Sequence, residues 1–140
     1  MKTTLFTILL IMSLNTMANS SIEILTPIIR LPPPGQNVSA IFLKIMNKSK
    51  NDLSIIKVSG EFAKQFELHT MEMKDNMMRM RQVDLILLRK DTTTELKSGG
   101  LHIMVFDIKK PLQKDKFYDL KLFFSDNSEK LIKVKAVEFN

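Results

Sequence analysis

The feature that most constrains this chain is an alternation of apolar and polar residues with a period of two, which dominates from Ile22 onward. Such alternation is typical of strands that bury one face, because successive side chains of a strand point to opposite sides. No window of twelve residues carries an apolar stripe with the 3.6-residue period of a helix. Runs rich in β-branched and aromatic residues predict strands at 22–25, 38–46, 53–58, 66–73, 77–83, 85–88, 101–108, 117–124 and 131–139.

Eight or nine short strands in about 120 residues favour an antiparallel β-sandwich or barrel. Polar turn segments such as 47–52 and 125–128 separate the predicted strands. With 44% hydrophobic and 26% charged residues, the 140-residue chain is too apolar to be disordered and too charged to be a multi-span membrane protein. We therefore expect one all-β globular domain.

The chain contains no cysteine, and this excludes several kinds of site. Disulfide frameworks, thiolate zinc sites, iron–sulfur clusters, thiol nucleophiles and cysteine-ligated blue-copper centres all need a sulfur that this chain lacks. Any metal site must be built from other ligands.

The N-terminus has the parts of a secretory signal peptide: Lys2, an apolar stretch at 5–14, and small residues around Ala18. A membrane anchor is the rival interpretation, but ten apolar residues span only about 15 Å as a helix, half of a bilayer core. We expect residues 1–18 to be a leader, with cleavage as late as residue 20, and residues 19–140 to form the mature domain.

The formal net charge of +6 would by itself favour nucleic acid or an anionic membrane as a partner. An exported protein does not meet DNA or RNA. We therefore expect no nucleic-acid partner and no stable membrane insertion after the leader is removed.

Methionine and histidine are concentrated in the same part of the chain. Apart from the leader and Met46, the methionines are Met71, Met73, Met77, Met78, Met80 and Met104, and the histidines are His69 and His102. A methionine stripe is usually core filler, and a single histidine is usually a hydrogen-bonded structural residue. Thioether sulfur and imidazole together, however, are the ligands that select Cu(I) over harder divalent ions. Copper is the first metal to consider.

Strand alternation predicts where these side chains lie. His102 and Met104 would share one face of their strand, while the aliphatic residues 101, 103 and 105 would face the core. In the run 66–69, Phe66 and Leu68 would face inward and His69 outward. The histidines are thus expected on the outer face of the sandwich.

The segment 71–81 is expected to be a hairpin that projects past the sandwich. Met78 and Met80 would align on one side of it, and Arg79 and Arg81 on the other. Two buried arginines on one strand would be costly, so both sides are expected to face water. The segment 74–76 is a suitable tip, because Asp and Asn tolerate tight turns.

The spacing of these residues resembles a known metal-binding signature. His69, ten intervening residues, Met80, twenty-one more and then His102-Ile103-Met104 is similar to the copper-binding pattern of the PCuAC family of periplasmic copper chaperones. The resemblance extends to segments 31–36, 69–81, 95–104 and 109–112, and so covers nearly all of the chain after the leader. The chain departs from the family pattern at Asn76, where Gly is usual, and at Gln82, where Pro is usual.

The resemblance implies a cupredoxin-like Greek-key β-sandwich with a Met-rich hairpin and one Cu(I) at an exposed surface site. Carried over by position, the ligands would be His69, Met80, His102 and Met104, with Met71, Met73 and Met78 as auxiliary thioethers. It also implies a periplasmic protein that delivers copper to respiratory oxidase assembly, with the cytochrome oxidase copper subunit or a Sco-type protein as partner. We expect the protein to be a monomer.

Three other functions are compatible with the same residues. A copper buffer for tolerance would use the same ligands without a dedicated acceptor. An interaction domain with a sticky methionine surface would need no metal. An enzyme is disfavoured, because both histidines belong to the proposed metal site and no phosphate-binding loop or HExxH pattern occurs. We expect no enzymatic activity.

Overall fold

The computed structural model describes residues 21–138, and within that range it contains ten strands and no helix. The strands are β1 (Ile22–Arg30), β2 (Ser39–Asn47), β3 (Leu53–Ser59), β4 (Ala63–Lys74), β5 (Met77–Gln82), β6 (Ile86–Leu88), β7 (Thr92–Leu96), β8 (His102–Ile108), β9 (Phe117–Phe124) and β10 (Glu129–Val137). The predicted leader lies outside the described residues. No helix in the described part is long and apolar enough to cross a membrane.

The strands form one continuous sheet in the order β5-β4-β8-β2-β1-β10-β9-β3-β6, with β7 paired to β2. Strand β2 divides the sheet, because Ser39–Ile41 pair with β8 whereas Leu43–Asn47 pair with β7. The fold is the expected all-β, cupredoxin-like Greek-key sandwich. The pairings are antiparallel, as expected, except that between β1 and β10, which run parallel at Ile28–Arg30.

The core is a single cluster to which nearly every strand contributes alternate side chains. In β2, for example, Ile41, Leu43 and Ile45 are buried, whereas Phe42 is half-buried and Lys44 is exposed on the opposite face. Each fully buried aliphatic side chain of this kind stabilises the fold by about 1.5–3 kcal/mol relative to exposure. The side chains on the inner face of the sheet therefore form the core, and only those on the outer face can form a binding site.

Two strands differ from the sequence-based prediction by more than a few terminal residues. Strand β7 was missed because its residues Thr92–Leu96 are mostly polar and exposed, so they lack the apolar alternation of a buried strand. Strand β1 continues beyond the predicted residue 25 through a bulge, where Thr26 has a φ of 47° and precedes Pro27. Bulges and proline interrupt the regular alternation, which hid the second half of this strand.

One buried polar side chain ties the end of β2 to its surroundings. The amide group of Asn47 is fully buried, and its Nδ2 donates to the carbonyl oxygens of Leu88 at 2.8 Å and Asn51 at 3.0 Å. Its Oδ1 accepts from the backbone N–H of Ser49 at 3.0 Å and from the Ser49 hydroxyl at 2.6 Å. A network satisfied in this way stabilises a specific loop conformation.

We predict that Asn47→Ala lowers the free energy of unfolding by about 2–4 kcal/mol, because two carbonyl oxygens lose their side-chain donor. Urea unfolding measures the effect, with Lys50→Ala in the same loop as an exposed control. Equal stability of the two variants would contradict this account of the network.

Candidate metal centre

The pairing of β4 with β8 brings the two histidines together. His69 and His102 are directly opposed in this antiparallel pair, and Glu67 is opposed to Met104 at the next position on the same face. The intervening pair, Leu68 and Ile103, is buried in the core. Two residues that are 33 positions apart in the chain thus become neighbours on the outer face.

The hairpin of β4 and β5 adds the methionines. Beyond His69, strand β4 pairs only with β5, so the two strands project past the sheet. Met71 is opposed to Met80 and Met73 to Met78, and both pairs lie on the same face as His69. The six residues of β5 are all exposed, as the prediction of a hairpin wet on both sides requires.

The hairpin turn and its second face also agree with the prediction. Asp75 and Asn76 have φ angles of 52° and 60°, the left-handed conformation of a tight turn, so Asn76 takes the place of the glycine usual in the PCuAC pattern. Arg79 and Arg81 lie on the face opposite the methionines, where Arg81 Nε donates to Glu72 at 2.8 Å. Both partners of this ion pair are exposed, so its contribution to stability is small.

The histidine rings are buried, although they lie on the outer face. The ring centroids of His69 and His102 are 5.7 Å apart, and the two residues are only 9% and 5% exposed. Phe42 lies 6.4 Å from the His102 ring, and Phe106 lies 6.4 Å from the His69 ring. The expected exposed site is therefore exposed on its methionine side only, where Met80 is 50% exposed. The covering phenylalanines come from β2 and β8, which local alternation does not reveal.

The tautomer of His102 is set by a backbone carbonyl. Its Nδ1 lies 2.8 Å from the carbonyl oxygen of Gly100. A carbonyl oxygen only accepts hydrogen bonds, so Nδ1 carries the hydrogen and donates it. In the neutral ring the lone pair then lies on Nε2, which is the atom left to bind a metal ion.

The tautomer of His69 is set in the opposite sense. Its Nε2 lies 2.7 Å from Glu67 Oε2, and the carboxylate accepts the hydrogen bond. Glu67 in turn accepts a hydrogen bond from the Gln65 amide through its other oxygen. The remaining nitrogen of His69, Nδ1, is buried and has no hydrogen-bond partner among the described residues. A buried nitrogen without a partner is costly in a purely structural histidine, whereas a metal ligand requires such an atom.

A hollow of about 210 Å³ opens beside the histidines. It is lined by Arg30, Ala40, Phe42, Met71, Met80, Ser98, Gly99, His102 and Met104. Three of the four expected ligands, Met80, His102 and Met104, therefore share one space, and the fourth, His69, lies immediately beside His102. Met71 lines the same hollow, whereas Met73 and Met78 belong to the next pair towards the hairpin tip.

The candidate donor atoms are imidazole nitrogens and thioether sulfurs, with no carboxylate among them. No cluster of three or more His, Asp or Glu side chains suited to a metal occurs among residues 21–138, so a carboxylate-rich site for a hard ion is absent there. Arg30 lines the hollow, and burial lowers the pKa of its guanidinium. The Glu67 carboxylate, which accepts the hydrogen bond of His69, places a negative charge on the same face. Imidazole nitrogens and thioether sulfurs are soft donors of the kind that bind copper.

Sequence reasoning missed the two groups that orient the rings, Glu67 and the carbonyl of Gly100. Both precede their histidine by two residues, so strand alternation alone places Glu67 on the same face as His69. That spacing was the available signal. It leaves open which ring nitrogen is bonded, because this depends on side-chain torsions.

Comparison with known proteins agrees with this architecture. A family model described as LpqE-like matches residues 22–136. The chain belongs to the LpqE-like family. Protein RP573 of Rickettsia prowazekii (strain Madrid E) is 25% identical over 73% of this LpqE-like chain and 57% of its own length. The lipoprotein-named Lxx21020 of Leifsonia xyli subsp. xyli (strain CTCB07) is 24% identical over 76% of the chain and 64% of its own length. The chain therefore spans less than two thirds of each of these relatives.

Solved structures confirm the resemblance of this LpqE-like chain to PCuAC domains at the level of the fold. The apo PCuAC domain from PmoF1 superposes with a TM-score of 0.73 at 18% identity, covering 85% of this chain and 95% of that domain. The copper-bound PCuAC domain from PmoF2 gives 0.72 at 22% identity, covering 86% and 94%. The solution structure of CuI-DR1885 from Deinococcus radiodurans gives 0.58 at 22% identity, covering 80% and 74%.

We predict that Glu67→Ala lowers the Cu(I) affinity by about 10- to 100-fold, because His69 is no longer held with its Nδ1 lone pair available. Glu67→Gln keeps a carbonyl oxygen that accepts the same hydrogen bond and should retain most of the affinity. Nitrogen-15 NMR of the apo protein reports the tautomer, and competition with a chromophoric chelator reports the affinity.

Glu72→Ala is the matched control, because Glu72 belongs to the same strand but faces Arg79. If Glu67→Ala and Glu72→Ala had the same His69 tautomer and the same Cu(I) affinity, Glu67 would not orient the His69 ring.

Proposed function

We propose that this protein is a copper chaperone of the cell envelope, with one Cu(I) ion as its cargo. The ion is bound by His69 Nδ1, His102 Nε2 and the thioethers of Met80 and Met104, and it is passed on to respiratory oxidase assembly. The acceptor in this proposal is the cytochrome oxidase copper subunit or a Sco-type protein, and the working form is a periplasmic monomer.

The observation that carries the proposal is the pair of oppositely oriented histidines. Each ring uses one nitrogen for an internal hydrogen bond and keeps the other for a ligand, and His69 Nδ1 is buried without a partner among the described residues. Two such nitrogens beside a hollow lined by thioethers form a soft, neutral donor set. A structural histidine pair would need neither the unpaired nitrogen nor the methionines.

The names of similar proteins support copper as the cargo and the envelope as the location. Two of the superposable structures are named as copper-bound, one of them as a Cu(I) form. The family and one curated relative carry lipoprotein names, which agrees with the secretory leader expected at residues 1–18.

The asymmetric exposure of the site suits transfer better than catalysis. The histidines are buried, whereas Met80 is half-exposed on a projecting hairpin. Thioethers are neutral ligands, so an acceptor's thiolate or imidazole replaces them one at a time from the open side. The donor set also fills four positions around the ion and leaves none for a substrate, in contrast to catalytic sites. We therefore assign no enzymatic activity.

We predict that the leaderless protein binds one equivalent of Cu(I) and that His102→Ala and Met104→Leu each weaken binding by about tenfold or more, since each removes one ligand atom. Anaerobic competition with a chromophoric Cu(I) chelator measures the affinity. Met46→Leu is the matched control, because Met46 is a half-buried methionine on β2 that does not line the hollow.

The same experiment has a second stage, in which the loaded protein is mixed with an isolated oxidase copper domain. Faster transfer to that domain than to a copper-binding protein outside the respiratory chain supports delivery, whereas equal rates indicate a copper buffer. The Cu(I) site itself would be contradicted if His102→Ala and Met104→Leu bound copper as tightly as Met46→Leu.

A further inference from the structure

The outer methionine pair of the hairpin, Met73 and Met78, is not used by the site described above. The two residues are directly opposed across β4 and β5, one pair further from the sheet than Met71 and Met80. Neither lines the hollow. Met73 is 65% exposed, and Met78 is exposed as well, so core packing does not explain them.

The methionines on this face form an ordered set. Two successive cross-strand pairs on this face consist of methionines, Met71 with Met80 and Met73 with Met78. The opposite face carries the charged residues Glu72, Arg79 and Arg81. A hairpin that is exposed to water on both faces could carry polar residues on both faces and would be solvated equally well. Instead, one face carries soft sulfur ligands from the hollow to near the tip.

The geometry allows one ion to be held by the outer pair and then by the inner pair. Opposed residues of an antiparallel pair have Cβ atoms about 4.5–5.5 Å apart, and methionine has three rotatable side-chain bonds, so two opposed sulfur atoms can reach a common ion. Successive pairs on one face are about 7 Å apart along the strands. That distance is short enough for sulfur atoms of both pairs to bind the ion together during a step.

We propose that Met73 and Met78 form a second, weaker Cu(I) subsite through which copper enters and leaves the inner site. The proposal deepens the proposed function and rests on it. The copper stays Cu(I) throughout: its dative bonds to the sulfurs of Met73 and Met78 break as bonds to those of Met71 and Met80 form. No proton or electron is transferred. An acceptor first meets the ion at the outer pair, where two neutral thioethers hold it weakly.

The test combines an equilibrium and a rate measurement on the leaderless protein. The ε-methyl groups of methionine are labelled with carbon-13, and NMR spectra are recorded during anaerobic addition of Cu(I) up to two equivalents. Stopped-flow absorbance then measures the transfer of one equivalent of Cu(I) from the loaded protein to bicinchoninate. The variants are Met73→Leu with Met78→Leu, and Met77→Leu as the control.

Leucine keeps the apolar volume and removes the sulfur, so these variants separate metal binding from a purely apolar surface. Met77 is the matched control because it belongs to the same hairpin, is 59% exposed, and lies on the opposite face, where it is opposed to Lys74.

The second equivalent of Cu(I) is expected to shift the methyl signals of Met73 and Met78. The double variant should lose this response and transfer copper about tenfold more slowly, while its affinity for the first equivalent stays within about threefold of the wild type. Met77→Leu should behave as the wild type. Transfer by the double variant at the wild-type rate would overturn the subsite, as would methyl signals of Met73 and Met78 that the second equivalent leaves unmoved.

The same titration distinguishes a failure of the proposed function from a failure of the subsite. If the proposed function is wrong, the first equivalent of Cu(I) does not bind tightly. The methyl response to the second equivalent reports on the outer pair alone.

Discussion

The register in which β4 pairs with β8 is the constraint on which the site depends. Side chains alternate with a period of two, so a slip of one residue would turn His69 into the core and bring Leu68 to the outer face. Burial of Leu68 against Ile103 prevents such a slip, because it commits the intervening residues to the inner face. The apolar core thus specifies the position of the proposed metal ligands, although it contributes none of their donor atoms.

The register brings the imidazole rings together, and their hydrogen bonds determine which nitrogen of each ring can bind a metal ion. Opposed strand positions bring two rings together, but a ring presents a lone pair only if its other nitrogen holds the hydrogen. Glu67 and the Gly100 carbonyl fix that hydrogen on opposite nitrogens of the two rings. The result is a preorganised pair of nitrogen donors beside a hollow lined by thioethers, a combination that suits a soft metal ion.

Much of this arrangement follows from the sequence, because it rests on local alternation. Alternation predicts the outer position of His69, His102 and Met104, the two faces of the hairpin, and a turn at Asp75 and Asn76. The features that alternation does not predict depend on residues that are distant in the chain. The histidines are buried by phenylalanines, one of them on β2, which lies about 27 residues before His69 in the chain. Strand β7 was missed because its exposed Thr-rich residues carry no apolar pattern.

The hairpin and the sheet have complementary roles in this architecture. The sheet holds the histidines, since His69 is paired with both β5 and β8, and β8 pairs with β2 from the residue after His102. The hairpin carries the thioethers on two strands of which one, β5, is held only by β4. Ligands on a rigid element determine affinity, and ligands on a loosely held element allow exchange. The proposed transfer of copper would need both properties in one site.

The most direct test is X-ray absorption at the copper edge of the leaderless protein loaded with one equivalent of Cu(I). We expect a reduced copper spectrum with two nitrogen or oxygen neighbours at about 2.0 Å that show imidazole multiple scattering, and two sulfur neighbours at about 2.3 Å, by analogy with zinc–ligand distances of that size. A first shell without sulfur, or one without imidazole scattering, would contradict it.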